Sequence, residues 1–144
     1  MRKIILISAC KTKSDEKGFA KDLYKGQFTE KAYRYATKIE NDAIFFLSPK
    51  FGLVEPNAEI QNANFTFDDL TSQEKKNWYR NVLNELRKKK YDLGKDHFVF
   101  LAYKRYWKGL VPAIKNYETP IEHLRIGKQL GWITEKLNEV ENKK

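Results

Sequence analysis

Three short apolar runs punctuate the chain, each closing on a polar turn: Lys3–Ser8 (KIILIS), Ala43–Ser48 (AIFFLS) and His97–Ala102 (HFVFLA). Unbroken apolar runs of this length, rich in β-branched and aromatic residues, are the pattern of strands covered on both faces. Between them the spacing changes to the helical period. Thr29 can cap a helix reaching Ile39, with Ala32, Tyr33, Ala36 and Ile39 on one face. Thr71 followed by Glu74 forms a capping box, and the helix it opens runs to about Lys90 and buries Trp78, Val82, Leu83 and Leu86. A further helix is expected over Tyr106–Tyr117, bent or started at Pro112. The last begins near Pro120–Glu122 and includes Ile126, Leu130, Ile133 and Leu137, with Gly127 and Gly131 weakening it or admitting a close neighbour. The tail from Glu139 to Lys144 is expected to fray.

Apolar strands alternating with helices predict an α/β fold with a mainly parallel central sheet flanked by helices. The 144 residues fit one domain, with no repeat or low-complexity linker to divide it. Hydrophobic residues make up 41% of the chain, enough for a substantial core, so global disorder is excluded. No apolar run approaches the ~20 residues of a membrane helix. The opening MRKIILISACK reads as a buried strand rather than a leader, because its apolar stretch is short and a charged loop follows. A cytoplasmic protein is expected. With Cys10 the lone cysteine, no intrachain disulfide can form, and we expect neither a metal nor a cofactor.

Charge is unevenly placed. The chain carries 28 Lys and Arg against 19 Asp and Glu, a formal net charge of +9. Residues 51–70 hold no Lys or Arg and four acids, Glu55, Glu59, Asp68 and Asp69, so an acidic segment lies between two basic ones. A basic surface attracts polyanions whatever their sequence, but it equally describes a lysine-rich solubilising surface.

In open α/β sheets, ligands bind outside the carboxyl ends of the strands. The three predicted strands exit into Ser8-Ala9-Cys10-Lys11-Thr12-Lys13, Ser48-Pro49-Lys50-Phe51-Gly52 and Ala102-Tyr103-Lys104-Arg105. Hydroxyl and ammonium groups at all three exits suit a phosphate. The first exit lacks the glycine pattern of a P-loop. Cys10 beside Lys11 and Lys13 has the surroundings of an activated thiol, or is a small filler at a strand end. In the second, Pro49 and Gly52 predict a backbone held in a special shape. Asp22 and Glu59 are the candidate catalytic carboxylates, able to orient water or stabilise developing positive charge, or simply a helix cap and a solvated acid. Phe51 and Tyr24 are candidate stacking faces for bases, with Tyr103 beside them. There is no zinc-finger spacing and no RNP1-type aromatic motif.

Taken together, Ile7-Ser8-x-Cys10-Lys11-Thr12-Lys13, Asp22-Leu23-Tyr24 and Leu47-Ser48-x-Lys50-Phe51-Gly52-Leu53, followed by Glu59-Ile60, resemble the small bacterial and phage domains related to the peroxide-stress protein YaaA. In that group one strand ends in Ser-x-x-Lys-Thr and a later one in Leu-Ser-x-x-Tyr/Phe-Gly-Leu. Ile126-Gly127-x-Gln129-Leu130 is similar to their closing helix. The resemblance implies DNA binding, protection against oxidative damage or a place beside base-modification systems. It marks Ser8, Lys11, Thr12, Ser48, Lys50 and Gly52 as a shared site. The functional expectation is a nucleic-acid-directed protein, most readily DNA-binding, with a nucleotide or base pocket at the carboxyl edge. Its enzymatic version is cleavage of a base–sugar bond. The alternative is a non-catalytic module that binds or sequesters a nucleotide or a partner protein, and a third possibility is a small-molecule nucleotide hydrolase without DNA contact. Oligomeric state is not legible.

Overall fold

The computed structural model describes residues 1–9, 17–24, 26–61 and 65–142. Its centre is a five-stranded sheet in the order β4-β3-β1-β6-β7, formed by β1 (Lys3–Ser8), β3 (Ala43–Ser48), β4 (Gly52–Val54), β6 (His97–Leu101) and β7 (Asn116–Glu118). Strand β1 is the middle strand and pairs in parallel with β3 and β6, and β7 pairs in parallel with β6. Strand β4 returns antiparallel to β3, so the sheet is mixed, though mostly parallel. A separate antiparallel pair joins β2 (Gly18–Phe19) to β5 (Glu59–Ile60).

Helices cover both faces. Alternation along β1 sends Ile4 and Leu6 one way and Ile5 and Ile7 the other, into two cores. The first core packs under α3 (Ser72–Lys88) and α4 (Lys104–Trp107), with Trp78, Val82, Leu86, Tyr106 and Trp107 buried. The second packs under α1 (Ala20–Leu23), α2 (Gln27–Lys38), α5 (Ile126–Glu141) and the β2·β5 pair. The predicted capping box forms: the Thr71 hydroxyl accepts from the Glu74 N–H at 3.1 Å and the Glu74 carboxylate accepts from the Thr71 N–H at 2.8 Å.

The structure departs from expectation in four places. Helix α2 starts at Gln27 with Gly26 at its N-cap, so Thr29 lies inside the first turn and its hydroxyl donates to the Ser8 carbonyl at 2.8 Å instead of capping. No helix spans Tyr106–Tyr117. Gly109 and Pro112 break it into α4, a 3-10 turn at Val111–Ala113 and the edge strand β7. The last helix begins at Ile126, later than predicted, and runs through residue 141, well into the expected tail. Gly127 and Gly131 face open space, so neither admits a close neighbour.

Candidate functional site

The parallel register brings the three exits to one rim. Ser8 lies beside Leu47, Ile7 beside Leu101, and the Ala9 N–H continues the ladder to the Leu47 carbonyl at 3.0 Å. The chain therefore leaves β1, β3 and β6 side by side, as their apolar runs predict.

What each exit presents is more selective than the sequence suggested. Ser48 is fully buried, and its Oγ accepts the N–H groups of Lys50 at 3.2 Å and Phe51 at 3.1 Å. Its carbonyl accepts the buried Trp78 indole N–H at 2.8 Å. Ser48 thus fixes the turn rather than facing a ligand. Gly52 closes that turn with φ of 77°, a backbone that L side chains rarely adopt, as its place in the sequence predicts. The result is an exposed Lys50, whose ammonium lies 5.3 Å over the Phe51 ring, while 42% of Phe51 is exposed.

At the first exit Ser8 is buried, and its Oγ has no hydrogen-bond partner among the described residues. Lys11, Thr12 and Lys13 lie outside the described residues, as does Cys10. At the third exit Tyr103 is half-buried, its ring 5.5 Å from Phe28 and 6.3 Å from Tyr106, and it leads into exposed Lys104 and Arg105. The Arg105 guanidinium reaches the Asp68 carboxylate at 3.3 Å.

Tyr24 does not offer a stacking face: it is buried at 5.2 Å from Phe46 in the second core. Phe28, Tyr106 and Trp107 are buried as well, which leaves Phe51 and part of Tyr103 as aromatic surface among these rings. The two carboxylates sit on the β2·β5 side. Asp22 is exposed on α1 and close enough to Tyr33 of α2 to add to burial, the larger cause, in raising that phenol's pKa. Glu59 is exposed and paired with Lys17 at 3.1 Å. Among the described residues no three His, Cys, Asp or Glu side chains cluster so as to hold a metal ion, and no helix is long and apolar enough to cross a membrane.

Sequence reasoning missed the residues that hold the rim in place. Trp78 and Thr29 read as core and cap, yet each donates to the last carbonyl of a strand. Only their positions facing the ends of β3 and β1 could have shown this, and those positions depend on the tertiary fold.

The family model described as a family of unknown function, DUF6884, matches residues 4–135. The chain belongs to that family. The match runs from the second residue of β1 into α5, so the DUF6884 unit contains all of the sheet but Lys3, and all three exits. No curated protein matches the chain.

Proposed function

We propose that this DUF6884 chain binds nucleic acid, DNA in the first instance, at the carboxyl rim of its sheet. One observation supports the reading above the others: the turn after β3 holds Lys50 and Phe51 out together, an ammonium over an exposed ring, on the same rim as the Tyr103-Lys104-Arg105 exit, with the β1 exit between them. A cation next to an exposed aromatic face is the combination that tracks a phosphate backbone while a base stacks. The net charge of +9 adds long-range attraction for a polyanion. The likeness to YaaA-related domains points the same way. In this reading Lys11 and Lys50 neutralise phosphates, Phe51 stacks, and Ser48, Gly52 and Trp78 keep the turn in shape.

Base–sugar cleavage is the weaker form of the proposal. It asks for a free carboxylate at the reacting bond, whereas Glu59, although it lines the same cavity as Phe51, is paired with Lys17, and Asp22 lies on α1. A binding module is therefore the reading we favour.

Fluorescence anisotropy with a labelled DNA duplex and single strand, over a range of salt, tests it. Binding should weaken steeply as salt rises, and Lys11→Ala with Lys50→Ala should flatten the logarithmic slope by up to about two, one for each phosphate no longer neutralised. A folded double variant that binds with unchanged slope sinks the site. Free bases detected by mass spectrometry after incubation would restore the catalytic version.

A further inference from the structure

Strand β4 is the last strand on its side of the sheet, and its outer edge has a definable chemistry. Leu53 faces Leu47 across the β3·β4 pair. The Leu47 carbonyl accepts the Ala9 N–H at 3.0 Å, so the backbone groups of Leu47 point toward β1, away from β4. Facing residues in an antiparallel pair alternate between hydrogen-bonded and non-hydrogen-bonded positions. Leu47·Leu53 must be a non-hydrogen-bonded pair, and the Leu53 N–H and C=O therefore point out of the sheet. Outside the ladder, no hydrogen bond takes them up among the described residues.

A cavity of about 530 Å³ lies against this edge. Leu53 and Val54 form its floor. One wall is α3, through Glu85 and Lys89, and the other is the β5 region, through Ala58, Glu59 and Ile60. Helix α3 packs on one face of the sheet and β5 on the other, so the cavity lies in the plane of the sheet, where a sixth strand would run. A second cavity of about 670 Å³ shares Phe51 and Leu53 and continues along α3 past Asn81, Asn84, Arg87 and Lys88.

We propose that this slot receives an extended segment of a partner protein as an added strand beside β4, with side chains that alternate apolar and acidic. Successive side chains of a strand point to opposite faces. Those turned toward β5 meet Val54, Ala58 and Ile60, which are apolar, with Glu59 and its ion-pair partner Lys17 beside them; those turned toward α3 meet the amides of Asn81 and Asn84 and four charged groups, Glu85 against Arg87, Lys88 and Lys89, so that wall keeps a positive balance although Lys88 pairs with Glu85 and Lys89 with Glu55. Main-chain bonds to Leu53 supply affinity, and the two walls supply specificity, which is the logic of strand addition. This proposal shares Phe51 with the nucleic-acid reading, since that ring lines both cavities, but it uses none of Lys11, Lys50 and Tyr103.

The test is anisotropy of a short labelled peptide of alternating Val and Glu on the wild-type chain. Binding is expected, and exchanging Glu for Lys should weaken it by about tenfold or more. Single N-methylation along the peptide should alternate: a methyl facing Leu53 abolishes binding, and one on either neighbouring amide leaves it nearly unchanged. In the amide NMR spectrum, Leu53 should shift and gain exchange protection. No binding, equal affinity for the Lys peptide, or a loss that does not alternate overturns the proposal. So does sedimentation equilibrium showing that Leu53→Pro abolishes a self-association of the chain, which would give the edge to a second copy.

Discussion

Gly109 should be the least replaceable glycine in the described fold, and replacing it by alanine tests the packing directly. A Cβ built at Gly109 would lie 2.3 Å from Cδ2, 2.4 Å from Cε2 and 2.5 Å from Cγ of Tyr79. Turning the ring about its own axis cannot relieve the contact, because Cγ moves only with χ1. The ring is also held at its far end, where the hydroxyl donates to the Arg105 carbonyl, and it packs 5.3 Å from Trp78. Overpacking of this kind costs about 1–3 kcal/mol. Against it stands the gain of about 0.4–1 kcal/mol from stiffening the unfolded chain. The difference spans about 0–2.6 kcal/mol, and its midpoint leaves Gly109→Ala destabilised by about 1.3 kcal/mol, a fall in Tm of roughly 3–5 °C for a domain near this size. Thermal melts followed by circular dichroism measure it. In a Tyr79→Ala background the clash is gone, and the same substitution should become neutral or mildly stabilising, a coupling of about 1–3 kcal/mol. A rise in Tm for the single variant, or the same fall in both backgrounds, refutes the packing argument.

Three further outcomes follow from the same structure. Gly131→Ala should have the opposite sign, stabilising by about 0.5–1 kcal/mol in urea unfolding, because the position is helical and a methyl there meets nothing within 4 Å. Trp78→Phe should cost about 2–4 kcal/mol, since it leaves the buried Ser48 carbonyl without its donor and opens space among Phe67, Tyr79 and Tyr106; a midpoint unchanged in urea would show that the bond contributes nothing. Burial works to raise the Asp96 pKa, but N–H groups of Asp92 and Arg2 and the Arg2 guanidinium outweigh it and hold the carboxyl below its ordinary value. Its stabilisation is thus present above the unfolded pKa of about 3.9 and lost as pH falls through the folded value. The Tm gap between wild type and Asp96→Asn should be full at neutral pH and close below about pH 4; a gap that ignores pH would show that the charge is irrelevant.

The strands that build the rim were legible because their patterns are extreme. KIILIS and AIFFLS match β1 and β3 residue for residue, and HFVFLA runs one residue beyond β6. No polar residue interrupts them, as expected of strands buried between two helical layers. Short elements left no such trace. Strands β2 and β5 have two residues each and β7 three exposed ones, so neither a period nor an apolar run can form. The helix expected over Tyr106–Tyr117 failed for a related reason: its apolar residues do recur, but Gly109 sits under a ring supplied by α3, a contact thirty positions away that no local window contains. Among site residues, Lys50, Phe51 and Gly52 stand where the turn chemistry put them. Tyr24 does not, because an aromatic in a polar stretch can serve a core as readily as a surface.

Both proposed surfaces meet at the hairpin of β3 and β4, which makes its geometry a shared control point. Lys50 is exposed at the turn with its ammonium over Phe51, Leu53 faces the edge slot, and the turn between them depends on Ser48 Oγ, the positive φ of Gly52 and the Trp78 indole beneath. Gly52→Ala would therefore strain one backbone conformation and disturb both surfaces together: a built Cβ meets nothing closer than Val82 Cγ2 at 3.9 Å, so the space is adequate and only φ is at fault. Lys50→Ala should weaken DNA binding far more than peptide binding, since Lys50 reaches the slot only through the Phe51 ring, and N-methylation of a bound peptide should act on the slot alone. If Gly52→Ala left DNA and peptide binding both intact in a folded chain, the hairpin could not be what positions either surface, and the two readings would lose their common foundation.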